Sequence, residues 1–309
     1  MIYSVFHRTT YAYEDAVTFA RCVLRLTPRT TASQTVLQSA ITVIPRPSQT
    51  LERAGPFGER MLTVTIEEPH TTLVIEAIAR VDVHAAPVTD LADSPPWEAV
   101  RTASFATIDI SPESPAAYLY SSTRAPVVPA ITDYARQSFP PGRPILEAAF
   151  ELTRRLTADF IYDAEATDVG TPVDAAFAAR RGVCQDFTHI MISALRGLGL
   201  PASYVSGYLR TIPPPGKPRL EGADATHAWV DLWCGDVRGW IGFDPTNALI
   251  VQNDHIVLAI GRDYADVAPI DGVLLASGDQ AIKVEVDVVP EPDALAATPA
   301  FEARASRSA

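Results

Sequence analysis

The stretch Arg181-Gly182-Val183-Cys184-Gln185-Asp186-Phe187 decides how this chain is read, together with Thr226-His227-Ala228-Trp229-Val230 and Gly242-Phe243-Asp244-Pro245-Thr246 further along. From Phe187 the apolar residues Ile190, Met191, Ala194, Leu195 and Leu198 recur on one face of a 3.6-residue period, and Gly199 with Pro201 marks a helix end. Cys184 stands one turn before Phe187 on that stripe. It is expected to look inward from the first turn, where unpaired backbone N–H groups and the helix dipole favour a thiolate. A buried structural cysteine is the alternative that the helix alone leaves open.

The two later stretches bear on that choice. Residues 226–233 and 239–244 read as strands, with Cys234-Gly235-Asp236-Val237 as a hairpin loop. A symmetric loop pairs Trp233 with Arg238, Asp231 with Trp240, Trp229 with Gly242, and His227 with Asp244. Directly opposed residues in an antiparallel pair hold their Cβ atoms about 4.5–5.5 Å apart, so the carboxylate is expected to fix the imidazole tautomer. Gly242 is expected to make room for the Trp229 indole. Taken singly, His227 reads equally as a strand histidine and Asp244 as a turn residue before Pro245. Taken together, the cysteine, histidine and aspartate are the parts of a thiol nucleophile, its base and the group that orients the base.

The blocks Gly182-Val183-Cys184-Gln185-Asp186-Phe187-Thr188-His189, His227-Ala228-Trp229-Val230 and Asp244-Pro245-Thr246 resemble the three signature blocks of the bacterial transglutaminase-like superfamily, cysteine peptidases with a papain-like core. Their order matches, as do the separations of 43 residues from cysteine to histidine and 17 from histidine to aspartate. The resemblance implies Cys184 as nucleophile, His227 as general base and acid, and Asp244 as third member. The run Tyr3-Ser4-Val5-Phe6-His7-Arg8-Thr9-Thr10-Tyr11-Ala12-Tyr13, with Leu24-Arg25-Leu26-Thr27-Pro28-Arg29, resembles the β domain that precedes this core in many bacterial members. Arg262-Asp263-Tyr264-Ala265-Asp266-Val267 resembles the segment that follows it. One turn departs from the pattern: Gly55-Pro56-Phe57-Gly58-Glu59 stands where such domains often carry Asp-x-Phe-Gly-Asn.

The implied fold is α+β, an N-terminal β-sandwich followed by a transglutaminase-like, papain-like core. The expected division is a β-sandwich over 1–98, a Ser-, Thr-, Pro- and Ala-rich linker over 99–125, the catalytic core with C-terminal strands over 126–289, and a disordered tail over 290–309. Strands are expected at 61–66 and 73–79, helices at 127–138, 145–158 and 173–180, and a further strand at 203–209. Residues 211–224, with Pro213-Pro214-Pro215-Gly216, are a candidate rim of the active cleft or an ordinary surface crossover.

Composition sets the remaining bounds. At 309 residues and 47% hydrophobic content the chain suits two cores of ordinary size. A net charge of −12 argues against nucleic acid or an anionic membrane as partner. The start of the chain lacks a basic stretch before an apolar run, and a cytoplasmic location is the expectation. Cys22, Cys184 and Cys234 cannot all pair and show no Cys-x-x-Cys spacing, so neither a disulfide framework nor a zinc site is expected. His7, His70, His84 and His255 show no metal-ligand spacing, and no cofactor is expected.

Several neighbours of the three blocks are candidates for the cleft or its support: Gln185, Asp186, His189 and Trp229. Asp186 lies about 200° around the helix from Cys184, so it cannot be its direct partner, but it is spaced to bond to His189. Trp229 shares the His227 face, either as a shield for the imidazole or as core. The expected activity is attack on a peptide or amide bond through a Cys184 thioester, with hydrolysis preferred and transamidation the alternative. A non-catalytic binding scaffold and a metal hydrolase are the readings from other classes.

Overall fold

A computed structural model describes residues 1–85, 88, 90–211 and 225–291. All but Thr211 of the candidate rim at 211–224, and 292–309 of the expected tail at 290–309, lie outside the described residues; Pro290 ends a strand and Glu291 N donates to Ile2 O (2.8 Å), so the expected disorder does not begin at 290.

The N-terminal third alternates apolar and polar residues, and it folds into strands β1 (Ile2–Val17), β2 (Phe19–Leu24), β3 (Gln34–Ile44), β4 (Gln49–Ala54), β5 (Arg60–Ile66) and β6 (His70–Val83). In β1 the residues Tyr3, Val5, His7 and Thr9 are buried at every second position, as a pleated strand with one covered face requires. The strand is long enough to serve two cores. Tyr13 and Val17 pack with Leu24, Val64, Ile66 and Ile75 inside the sandwich. Tyr3 and Val5 pack with Val81, Val83 and with Tyr208, Ile256 and Leu258 of the second half of the chain. At the divergent turn, Phe57 N donates to the Glu59 carboxylate (3.0 Å). A Cβ at Gly55 would collide with that same carboxylate.

The second half is built on helices α1 (Trp97–Ala106), α2 (Pro129–Arg136), α3 (Ile145–Asp159), α4 (Val173–Ala179) and α5 (Cys184–Gly197), with the short strands β7 (Ile161–Tyr162) and β8 (Arg181–Gly182). The expected linker therefore contains most of a helix, and Val100 of α1 joins the main core. A five-stranded sheet follows: β9 (Ala202–Leu209), β10 (Ala225–Trp233), β11 (Trp240–Asp244), β12 (Leu249–Ile250) and β13 (His255–Gly261), in the order β12-β11-β10-β9-β13. Its Ala202, Tyr204, Ala228, Val230 and Leu232 pack against Phe187, Ile190, Met191 and Leu195 of α5.

After α6 (Tyr264–Val267), strands β14 (Ile270–Leu275) and β15 (Gln280–Pro290) return to the sandwich. The sequence expectation groups them with the core, but β14 pairs with β2 and β15 with β1. The physical reason is edge pairing: in the sheets ordered β15-β1-β6-β3 and β14-β2-β5-β4, the returning strands satisfy the backbone groups along the outer edges of β1 and β2.

Helix α5 also differs from its reading. The apolar stripe is buried as expected, yet Asp186, Thr188, His189, Ser193 and Arg196 are buried too. A helix covered on all sides must find internal partners for its polar groups. Arg196 donates to the carbonyls of Tyr118, Ala202 and Arg262, and Ser193 donates to that of Pro126.

Candidate active site

Cys184 opens α5, with Val183 as the extended residue before it. Asp186 accepts from Val183 N (2.8 Å) and from the Thr167 hydroxyl (2.6 Å), which ties down the turn that presents the cysteine. Gly182 is required there, because a Cβ would come 2.5 Å from the Asp186 carboxylate. Asp186 and His189 do not bond to each other. His189 accepts from Tyr264 N (3.2 Å) and packs on Tyr204, with ring centroids 5.1 Å apart. Burial holds it neutral, at about 4, against the pull of Asp263. Gln185 reaches the Val169 carbonyl (3.4 Å).

The hairpin register differs from the symmetric reading by two residues. Trp233 pairs with Trp240, Asp231 with Gly242 and Val230 with Phe243. The loop is longer because Gly235 (φ 95°) and Gly239 (φ 63°) both take positive φ, and Cys234 N closes it by donating to Gly239 O (2.8 Å). A shift of two keeps every side chain on its face, whereas a shift of one would have separated His227 from Asp244. His227 and Asp244 therefore meet diagonally, beyond the Val230–Phe243 rung that ends the ladder. Gly242 consequently faces Asp231, and the glycine beneath Trp229 is Gly207, where a Cβ would come 2.5 Å from the indole.

Asp244 performs both roles that the sequence leaves open. Its Oδ1 accepts from Thr246 N (2.9 Å) and Asn247 N (3.1 Å), the bonds of a turn-starting aspartate. Its Oδ2 takes His227 Nε2 (2.8 Å), Asn247 Nδ2 (2.8 Å) and His255 Nε2 (3.2 Å). The residue is fully buried. Burial works to raise its carboxyl, but the bonds from His227 and His255 overcome that and hold it far below the usual carboxylate range.

His227 is the converse case. Burial lowers its pKa, while hydrogen bonds to Asp244 and to Cys184, with the charges of both, push it up to about 10. With Nε2 occupied by Asp244, Nδ1 is left for the sulfur. The arrangement can hold a cation beside a thiolate and pass one proton between the sulfur side and a reacting group.

Sequence reasoning missed two features. His255 shows no metal-ligand spacing in the sequence, yet it bonds to Asp244, and its ring packs edge-on against Trp229 (5.0 Å). The signal for it was weak, a histidine opening the apolar run Ile256-Val257-Leu258-Ala259-Ile260. The ligand atoms of His227, Asp244 and His255 lie within 4.8 Å of one another, a span that suits a divalent cation. Their separations of 2.8 and 3.2 Å are those of hydrogen bonds, and a metal would have to displace the protons they share. The other missed feature is a group of phenols around the cysteine. Burial and then the Cys184 charge raise Tyr162 and Tyr204, and burial, Asp271 and Cys184 raise Tyr264.

Comparison with known proteins agrees with this architecture. Residues 3–82 match the bacterial transglutaminase-like N-terminal region, and residues 132–245 match the transglutaminase-like superfamily. The chain belongs to the transglutaminase-like superfamily. It is 39% identical over 308 residues to an uncharacterized protein of Mycobacterium tuberculosis, covering 95% of this chain and 94% of that one. A Mycobacterium leprae protein, also uncharacterized, is 30% identical over 289 residues, covering 92% and 97%. The crystal structure of a candidate cysteine protease from Cytophaga hutchinsonii shares the fold, with TM-score 0.68 at 21% identity over 95% of this chain and 92% of that one. No described helix is long and apolar enough to cross a membrane.

Proposed function

We propose that the protein is a thiol-dependent amide hydrolase whose catalytic groups are Cys184, His227 and Asp244. The observation that carries this reading is the pairing of a helix-start cysteine with His227, a histidine bonded in turn to the buried Asp244 carboxylate at 2.8 Å. Cys184 Sγ attacks the carbonyl carbon of a peptide or side-chain amide, forming the C–S bond. The C–N bond then breaks as His227 gives its proton to the departing nitrogen. Water adds to the thioester with His227 as base, and the C–S bond breaks to release the acid and the thiol group. Asp244 holds the ring orientation and balances the imidazolium charge. The backbone N–H of Cys184, at the head of α5, is the first donor for the oxyanion, and the buried Tyr204 phenol is our choice for the second.

Hydrolysis and transamidation share these groups and differ in what takes the acyl group. Water is the acceptor unless a groove binds an amine or walls exclude solvent. Cys184 is partly open to solvent, which supports water. An amide library screened with wild type and Cys184→Ala identifies a substrate, and product partitioning against rising primary amine then separates the routes. Mostly acid product at millimolar amine is expected; mostly amine adduct would replace this reading with transamidation. Turnover is expected to survive a chelator, which a metal hydrolase would not.

A further inference from the structure

A cleft of about 680 Å³ lies between the loop at 29–34 and the Trp229-bearing face of the core sheet. Trp229, Asp231, Trp240, Tyr118 and His255 line it, whereas Cys184 and His227 do not. It is therefore separate from the space in which the sulfur would meet a substrate, with His255 standing between the cleft and Asp244.

The charges that line the cleft do not cancel at its inner wall. Arg29 donates to Glu113 (2.9 Å) and Arg238 to the Asp93 carboxylate (2.6 Å), so both cations already have anionic partners. Asp231 has no cation within ion-pair distance among the described residues. Burial raises its carboxyl to about 7, against the pull of Arg29 at longer range and of the Trp229 indole. A partly buried carboxylate of this kind, with no cation beside it, is relieved by a cation delivered from solution.

His255 supplies an independent observation. It is 4% exposed, and its Nε2 faces the ionised Asp244, so Nε2 carries the hydrogen and Nδ1 presents a lone pair. Nδ1 is buried and has no hydrogen-bond partner among the described residues. Buried polar atoms of folded proteins are nearly always bonded, so an unsatisfied acceptor on a residue that lines a cleft points to a donor bound beside it. The aromatic rings of Trp240 and Tyr118, packed edge to face at 5.2 Å, add a surface suited to a cation or to an apolar body.

We propose that this cleft is a second, small-molecule site, and that it binds an organic ammonium ion. The ammonium pairs with Asp231, its body lies along Trp240 and Tyr118, and a further N–H or O–H donor meets His255 Nδ1. The site does not depend on the thiol chemistry, so it can be tested in Cys184→Ala, where acyl transfer cannot contribute.

The probe is tyramine, with tyrosol as its neutral counterpart, titrated by calorimetry into the full chain carrying Cys184→Ala. Tyramine is expected to bind, tyrosol about tenfold or more weaker, and Asp231→Asn to reduce tyramine to the level of tyrosol, as loss of a charge-assisted bond requires. Should Asp231→Asn fail to fold, the indole N–H resonances of Trp229 and Trp240 provide the same test in a chain with Asp231 intact: both shift with tyramine, and tyrosol needs about tenfold or more higher concentration to shift them as far. Equal binding of tyramine and tyrosol, unaltered binding in Asp231→Asn, or no binding up to about 10 mM tyramine overturns the proposal.

Discussion

Two histidines share one carboxylate oxygen in this protein, and their fates differ. His227 and His255 both direct Nε2 at Asp244 Oδ2, at 2.8 and 3.2 Å, and both are buried. What separates them is the second nitrogen. That of His227 is left for Cys184, and that of His255, a residue that lines the cleft, has no partner among the described residues. Burial and a carboxylate neighbour therefore do not assign a role to a histidine. The group at its other nitrogen does, and Asp244 supports both rings because its five donors leave it no reason to take up a proton.

The most direct way to break this comparison is to remove each ring in turn. His227→Ala is expected to lower turnover by roughly four orders of magnitude or more, to the level of Cys184→Ala, because the base and the nucleophile act as a unit. His255→Ala should leave turnover readily measurable. Equal losses in the two variants would mean that the ring next to the sulfur has no privileged role.

Asp244→Asn sharpens the comparison, since the carboxylate is what the histidines share. Turnover is expected to fall by roughly 10⁴, as loss of the orienting acid does in Ser-His-Asp enzymes, and the double change with His227→Ala should cost little more than His227→Ala alone. Additive losses would confine Asp244 to its turn. The pH profile gives the sign. His227 must be protonated to release the amine, so activity should fall as pH rises through about 10. In Asp244→Asn the alkaline limb should move down toward the ordinary imidazole range near 6.5. The raised imidazole also stabilises the fold below its ordinary value, a contribution lost as pH rises through about 10. The depressed Asp244 carboxyl stabilises above its ordinary range and loses that contribution as pH falls.

A thiol label needs no substrate. Iodoacetamide at mildly acidic pH should modify Cys184 well before the other two cysteines, by about tenfold or more, because burial pushes the thiols of Cys22 and Cys234 up. Peptide mapping after brief exposure reads the result, and equal labelling of the three would remove the basis for a privileged sulfur.

The three candidate positions are legible because each sits in a short block whose neighbours fix its local geometry. Cys184 follows a required glycine and precedes an apolar stripe, and Asp244 precedes Pro245. The hairpin register was misplaced because loop composition marks where a turn is but not how many residues its positive-φ glycines recruit; Gly239 was read as strand. The parity of side chains survived the error, and so did the pairing of His227 with Asp244. The burial of Ser193 and Arg196 in α5 is not legible, because a helical period cannot reveal that Arg196 will find three carbonyls inside. His255 was least legible of all. It reaches Asp244 from β13, with β10 and β9 between their strands, and only the sheet order β12-β11-β10-β9-β13 brings them together.

The smallest effect expected concerns that last residue. His255 donates one bond to a charged acceptor that retains four other donors, so His255→Gln should lower turnover by only about tenfold, the value of one charge-assisted bond partly compensated by its neighbours. The loss should appear in kcat with KM little changed, because Asp244 touches the base and not the substrate. The alkaline limb should also shift downward, since a carboxylate less firmly held in place supports the His227 cation less well. A merely structural histidine would instead lower the melting temperature and leave the limb near 10 in the folded fraction. That outcome would reduce the two-histidine arrangement to one working ring and one packing ring.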